Sequence, residues 1–228
     1  MCGRFTLTST PEALAERFGL DAPPALAPRF NIAPGQDVLA VRARDGGRRV
    51  ELLRWGLVPP WSSPGQGPPL INARSETAAE RPAFRDAFRT RRCIVPASGF
   101  YEWADRGDFR QPYWIAPGDG ALLGIAGLWE RWTAPDGARL ESCALLTTAA
   151  NERIADLHDR MPAILAPEHY TAWLDPALGV ADLAALLSPL PPEALAVRPV
   201  GTRVNRIEND DPALLAAVPE PPRQPSLF

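Results

Sequence analysis

The sequence predicts a single-domain α+β protein with largely antiparallel sheets. Short apolar runs rich in β-branched and aromatic residues recur along most of the chain, turn residues separate them, and only a few brief stretches carry helical spacing. At 228 residues the chain can bury a full core as one large domain.

In order, Cys2 to Leu7 reads as a short strand. Thr10-Pro11-Glu12 opens a helix with Thr10 as N-cap and proline in the first turn, and Leu14 and Phe18 face its core side. Asp21 to Pro34 is dense in proline and is expected to be a rigid loop. Val38 to Ala43 and Val50 to Trp55 flank Asp45-Gly46-Gly47, a hairpin signal. Ser62 to Pro69 is a Pro/Gly/Ser loop expected to be mobile. A short amphipathic helix follows from Pro82 to Arg89, with Phe84 and Phe88 four apart. Strands are expected at Cys93 to Val95, Gly99 to Trp103, Tyr113 to Ala116, Leu122 to Trp132 and Ser142 to Thr148. Asn151 to Leu157 reads as a helical turn, and Pro162 bars its continuation, which leaves His158 at a loop or helix end. A strand at Ala163 to Leu165, helices from Glu168 to Leu174 and Ala181 to Leu187, and a strand at Leu195 to Val200 complete the domain. Its expected limits are residues 1–219, and the Pro-rich tail 220–228 is expected to be disordered.

Composition narrows the function. Hydrophobic residues make up 46% and charged residues 22%, and no apolar run approaches the roughly 18 residues of a membrane span. Three scattered cysteines and no secretory leader point to a reducing cytoplasm. Cys2, Cys93, Cys143, His158 and His169 show no metal-ligand spacing, so neither metal nor cofactor is expected. The net charge of -3 hides two unlike halves: residues 1–110 hold 16 Arg against 12 acids, and residues 111–228 hold 8 Arg against 15 acids. An anion site should therefore draw on the first half.

Cys2 directly follows the initiator methionine, and its small side chain makes Met1 removable. The result is an N-terminal 1,2-aminothiol, which turns an aldehyde into a five-membered thiazolidine. An α-amino group, with pKa about 7.7 against about 10.4 for lysine, is unprotonated at neutral pH more often by roughly two orders of magnitude. All 24 Lys+Arg residues are arginine, so a Schiff base must use the terminus. The residues alone leave open that Cys2 is a buried, inert structural cysteine. They also leave open that Glu102, between Tyr101 and Trp103, is an exposed strand acid, or that aromatic neighbours desolvate it toward useful acid/base values. Trp61 is either core packing or a base-stacking platform.

Seven segments together resemble the SRAP family, named for SOS-response-associated peptidases, whose members cap abasic sites in single-stranded DNA. They are Met1-Cys2-Gly3-Arg4-Phe5, Arg29-Phe30-Asn31-Ile32-Ala33-Pro34, Trp55-Gly56-Leu57, Ile71-Asn72-Ala73-Arg74-Ser75-Glu76-Thr77, Gly99-Phe100-Tyr101-Glu102-Trp103, Thr147-Thr148-Ala149-Ala150 and His158-Asp159-Arg160-Met161-Pro162. The resemblance implies sheets curled toward a barrel with helices around it, and Cys2 in a surface cleft. It implies that Cys2 is the covalent nucleophile, that Asn72 positions the opened sugar, that Glu102 shuttles protons during Schiff-base formation, and that His158 protonates the sugar oxygen. Arg4 and Arg74 match phosphate contacts, Thr147 a polar pocket residue, and Trp61 and Arg160 further DNA contacts. The implied partner is single-stranded DNA with abasic sites, with hydrolase and lyase chemistry associated. Where some relatives carry two adjacent tryptophans this chain has Trp61-Ser62, followed by a longer loop. Two rivals remain: a peptidase with Cys2 as N-terminal nucleophile, and a noncovalent reader of single-stranded or modified DNA.

Overall fold

The chain alternates short strands with few helices in a computed structural model that describes residues 2–22, 27–44, 46–62, 65, 67–107 and 109–220. Strand β1 (Phe5–Leu7) leads into α1 (Pro11–Phe18). Local chemistry sets both ends of that helix: Thr10 Oγ1 accepts the Ala13 N–H at 3.2 Å, Pro11 sits where its missing N–H is no loss, and Gly19 closes it at φ 63°. Leu14 and Phe18 are fully buried, as their spacing predicts.

Strand β2 (Arg29–Ile32) corrects the expectation of a loop over Asp21 to Pro34. It pairs with β1, Ile32 opposite Phe5, and the Asp210 carboxylate accepts the N–H groups of Phe30 and Asn31. Pro28 and Pro34 flank the strand, where proline costs no ladder bond. The hairpin of β3 (Asp37–Arg44) and β4 (Gly47–Trp55) forms where expected, with Gly46 at φ 80°. Then come β5 (Asn72–Arg74), α2 (Ser75–Ala78) and α3 (Arg85–Thr90). The last starts later than Pro82 because Phe84 stands at its cap, although Phe84 and Phe88 are both buried. Of the Ser62 to Pro69 loop, residues 63, 64 and 66 lie outside the described residues.

Five long strands follow: β6 (Arg92–Ala97), β7 (Gly99–Asp105), β8 (Arg110–Pro117), β9 (Leu123–Thr133) and β10 (Arg139–Ala149). The chain closes with α4 (Glu152–Ala155), β11 (Arg160–Pro162), β12 (Ile164–Leu165), α5 (Tyr170–Leu174), α6 (Val180–Ala185) and β13 (Leu195–Pro199). β11 falls where the sequence predicts only loop. Residue Glu220, assigned to the tail by its prolines, is instead held by Tyr113 Oη and Arg106; 221–228 lie outside the described residues.

Two sheets result. In one the order is β13-β8-β7-β1-β2, antiparallel throughout. In the other, β10-β4-β3-β6-β9 close into a five-stranded barrel because β9 pairs back onto β10. β10 takes β4 and β5 in parallel, the exception to the antiparallel expectation. Its first half builds the barrel, and its last residues carry β5 and β11. One large core holds Phe5, Trp55, Phe100 and Trp173, and a second small one joins Tyr101 to Val200, Val204 and Leu214. Among the described residues no helix is long and apolar enough to cross a membrane.

Candidate active site

β1 and β7 run antiparallel with Phe5 opposite Phe100, and the Tyr101 N–H donates to the Arg4 carbonyl at 3.0 Å. Continuing that register sets Gly3 opposite Glu102, and Cys2, the next residue, is near enough for the Glu102 charge to act on its thiol. From the other side Asn72, the first residue of β5, donates its Nδ2 to the Cys2 carbonyl at 2.9 Å. β5 sets Arg74 opposite Thr147 on β10, and β11 sets Arg160 opposite Ala149 on the same strand. The Ala150 N–H donates to the Asp159 carbonyl at 3.0 Å, which fixes the turn carrying His158. The start of β5 thus meets the N-terminal segment, and β10 joins β5 to β11 and to the turn carrying His158.

Cys2 is fully buried within the main core, so the expected surface cleft is corrected to an enclosed seat. Its Sγ–H points at the Arg4 carbonyl, 3.8 Å away. Burial, reinforced by the negative charge of Glu102, pushes the thiol well above the ordinary range, so Cys2 is a thiol and not a thiolate at neutral pH. Glu102 is only 2% exposed, which removes the exposed-acid reading. Its burial drives the carboxyl up to about 7, against the Trp103 N–H and the charge of Arg110. The Asn72 amide has one possible orientation, because only its NH2 can donate to the Cys2 carbonyl. Its Oδ1 is consequently buried without a hydrogen-bond partner among the described residues.

His158 has two neighbours competing for one nitrogen. Nδ1 accepts the Arg160 N–H at 2.9 Å and lies 2.7 Å from Asp159 Oδ1. These demand opposite protonation states, since accepting needs a bare nitrogen and pairing with a carboxylate needs a protonated one. Burial lowers the His158 pKa, and Arg110 and Arg160 lower it further, with Asp159 opposing. The neutral ring, with Nδ1 accepting, therefore prevails, and Asp159, 82% exposed, is left to water.

The arginines divide sharply. Arg4 donates to Asn31 Oδ1 at 2.8 Å, to the Val204 carbonyl at 2.7 Å and to the Asn205 carbonyl at 3.3 Å, so most of its fork holds the fold. Arg160 grips both oxygens of Glu76 at 2.6 and 2.8 Å and reaches the Thr147 carbonyl at 2.5 Å. Arg74 is exposed, with neither hydrogen bond nor ion pair among the described residues. Thr147 is buried, its Oγ1 3.4 Å from the Ala73 carbonyl. Trp61 is not brought to Cys2: 62% exposed, it borders a separate groove of about 1090 Å³ shared with Leu57, Pro69, Arg54 and Arg81. Among the described residues there is no group of three or more His, Cys, Asp or Glu able to hold a metal ion.

Comparison with known proteins shows what this chain is similar to. The family model for SOS response associated peptidase (SRAP) matches residues 1–207. The chain belongs to the SRAP family. Abasic site processing protein YoaM of Bacillus subtilis (strain 168) is 40% identical over 224 residues, covering 95% of this chain and 98% of that protein. Abasic site processing protein YedK of Escherichia coli (strain K12) is 33% identical over 230 residues, covering 96% and 100%. A crystal structure of a protein from Bacteroides thetaiotaomicron superposes with a TM-score of 0.85 at 26% identity, over 95% of this chain and all of that one.

Two residues of this SRAP site escape a reading of the sequence alone. Glu76 stands inside the segment Ile71 to Thr77, yet its grip on Arg160, 84 residues away, is visible only in space. Arg110 sits at the start of β8, and its charge acts on both Glu102 and His158. The one signal for Glu76 is a carboxylate two residues after Arg74.

Proposed function

We propose that this SRAP protein caps abasic sites in single-stranded DNA covalently, through a thiazolidine formed between Cys2, after Met1 removal, and the ring-opened sugar aldehyde. The observation that carries the reading is the seat of Cys2, tied by its carbonyl to Asn72 and set beside a buried carboxyl that titrates near neutrality. The names of relatives such as YoaM and YedK support the same target.

The site residues suggest an order of events. Ring opening needs a proton on the sugar oxygen; His158, whose pKa is lowered, is a strong acid in its minor charged form. The Cys2 amine then attacks the aldehyde carbon and water leaves, giving a Schiff base. Glu102, half ionised near pH 7, takes and returns the protons of that step. Finally the Cys2 S–H adds across the C=N bond, sulfur to carbon and proton to nitrogen. A thiol held above its ordinary pKa suits this last place in the sequence. The unpartnered Asn72 Oδ1 is placed to accept a sugar hydroxyl. Arg74 supplies the free phosphate contact, Trp61 and the remaining donor capacity of Arg4 extend the DNA surface, and Arg160 and the buried Thr147 support the site from beneath. Peptidase chemistry at Cys2 would want a thiolate, which the burial of this thiol opposes.

Blocking the amine tests the proposal. An N-terminally tagged protein, a C-terminally tagged one, and the first after cleavage that leaves Cys2 as residue one are incubated with an abasic oligonucleotide, each terminus verified by intact mass. Only the two with a free Cys2 amine should give a heat-stable band on a denaturing gel. A stable adduct from the blocked protein would refute the amine mechanism, peptide fragments would favour proteolysis, and binding without any adduct would favour a noncovalent reader.

A further inference from the structure

Glu76 lies in the first turn of α2, two residues past the strand that carries Asn72 and Arg74, and no role in the chemistry follows from its position alone. Its carboxylate takes both arms of Arg160, at 2.6 and 2.8 Å, a bidentate pair of the strong kind. The same guanidinium donates to the Thr147 carbonyl, so Arg160 bridges α2 to β10. Arg160 opens β11, and its side chain is only 12% exposed where it makes this bridge. Its own backbone N–H is the group that donates to His158 Nδ1.

We propose that Glu76 is a positioning residue that, acting through Arg160, fixes His158 as the tautomer with its proton on Nε2. A neutral imidazole has one N–H, and the bond made by one nitrogen decides which carries it. Arg160 N–H on Nδ1 demands the Nε2–H form, whereas Asp159 Oδ1, 2.7 Å from the same Nδ1, demands the opposite. Which neighbour wins depends on whether the start of β11 stays in place. The Glu76 fork and the Thr147 carbonyl hold it there. With the fork broken, Arg160 is free to swing toward solvent, its backbone relaxes, and Asp159 captures Nδ1. The neutral ring then presents a bare Nε2 to the sugar in place of the N–H that hydrogen-bonds its oxygen and orients the ring before the proton is passed. This inference rests on His158 as the proton-transfer group of the proposed reaction, but the tautomer itself can be read without any reaction.

The chain has two histidines, so a long-range ¹H–¹⁵N spectrum of labelled protein holds two ring systems, and His169→Gln assigns them. The parent should show His158 protonated on Nε2. Glu76→Gln should convert it to a mixture with the Nδ1–H form, and Asp159→Ala in that background should restore the parent pattern. A merely structural role for Glu76 would not produce that rescue. With abasic oligonucleotide, Glu76→Gln should slow crosslinking by about tenfold, a fraction of what general acid–base groups contribute, and leave affinity for intact single strands unchanged. Adding Glu76→Gln to Arg160→Lys should slow it no further, because both act through the same ion pair. Should Glu76→Gln fail to fold, Arg160→Lys alone gives the same tautomer readout. A parent spectrum with Nδ1–H, or an unchanged tautomer in the folded variants, overturns the inference. Absence of crosslinking in the parent would sink the proposed function and leave the spectra still decisive.

Discussion

At the scale of single residues, the site stores an unfavourable carboxylate. An ordinary glutamate titrates at about 4.3, and Glu102 is driven to about 7 by burial. Between those values the folded chain binds more protons than the unfolded one, so stability falls as pH rises through this window and is flat above it. Below about pH 4 both states hold the proton and nothing is lost. Glu102→Gln removes the ionisation, so its stability should match the parent's near pH 4 and exceed it at pH 8 by up to about 3 kcal/mol, read as a higher melting temperature. The variant should crosslink slowly. A parent that gains stability relative to Glu102→Gln on going from pH 5 to 8 would show that the carboxyl is not held up. The type and spacing of Cys2, Asn72, Glu102 and His158 are legible in the sequence. Their burial is not, because a strand acid between two aromatics is equally compatible with either face of a sheet until the partner strands are known. The fork of Arg160 on Glu76 is hidden for the same reason.

At the scale of elements, glycine decides how closely β7 and β8 approach. A Cβ on Gly99 would lie 2.7 Å from the Ile115 carbonyl and 2.7 Å from the Trp114 ring. Trp114 cannot retreat easily, since Arg198 stacks on its ring at 4.4 Å and its Nε1 donates to Thr6 Oγ1 at 3.3 Å. Gly99→Ala should therefore destabilise by about 2 kcal/mol, in the range of overpacked cores, measured as a lower urea midpoint with an unchanged slope. Because β7 also carries Glu102 and borders Cys2, crosslinking should slow as well. A midpoint equal to the parent's would mean that the two strands can part without loss. The hairpin and α1 are readable from turn and cap residues, which act within a few positions. β2 is not, since the groups that satisfy its N–H donors belong to Asp210, some 180 residues later in the chain. β11 escapes likewise: three residues ending in proline make a strand only because β10 is there to pair with.

At the scale of the whole molecule, the excess of arginine in the first half meets two different fates, and these predict different behaviour from two residues of the same type. Arg74 stands exposed on the edge of the site, and nothing among the described residues holds it. Arg4, just before β1, binds Asn31 and the carbonyls of Val204 and Asn205, joining the N-terminal segment to the far end of the chain. Each phosphate that the protein ceases to neutralise on a single strand should reduce the slope of log K against log salt by roughly 0.7. Arg74→Ala should therefore show a flatter salt dependence and weaker binding to abasic and intact strands alike, since phosphate carries no base information. Its melting temperature should equal the parent's. Arg4→Ala leaves an Asn31 oxygen and two backbone carbonyls without their charged donor, a loss of about 2 kcal/mol or more, and should melt earlier whatever its effect on binding. Titrations at several salt concentrations, run beside thermal melts of both variants, separate the two roles. If Arg74→Ala keeps the parent's slope, the exposed arginine does not meet the DNA backbone, and the strand must be held by the groove beside Trp61 instead.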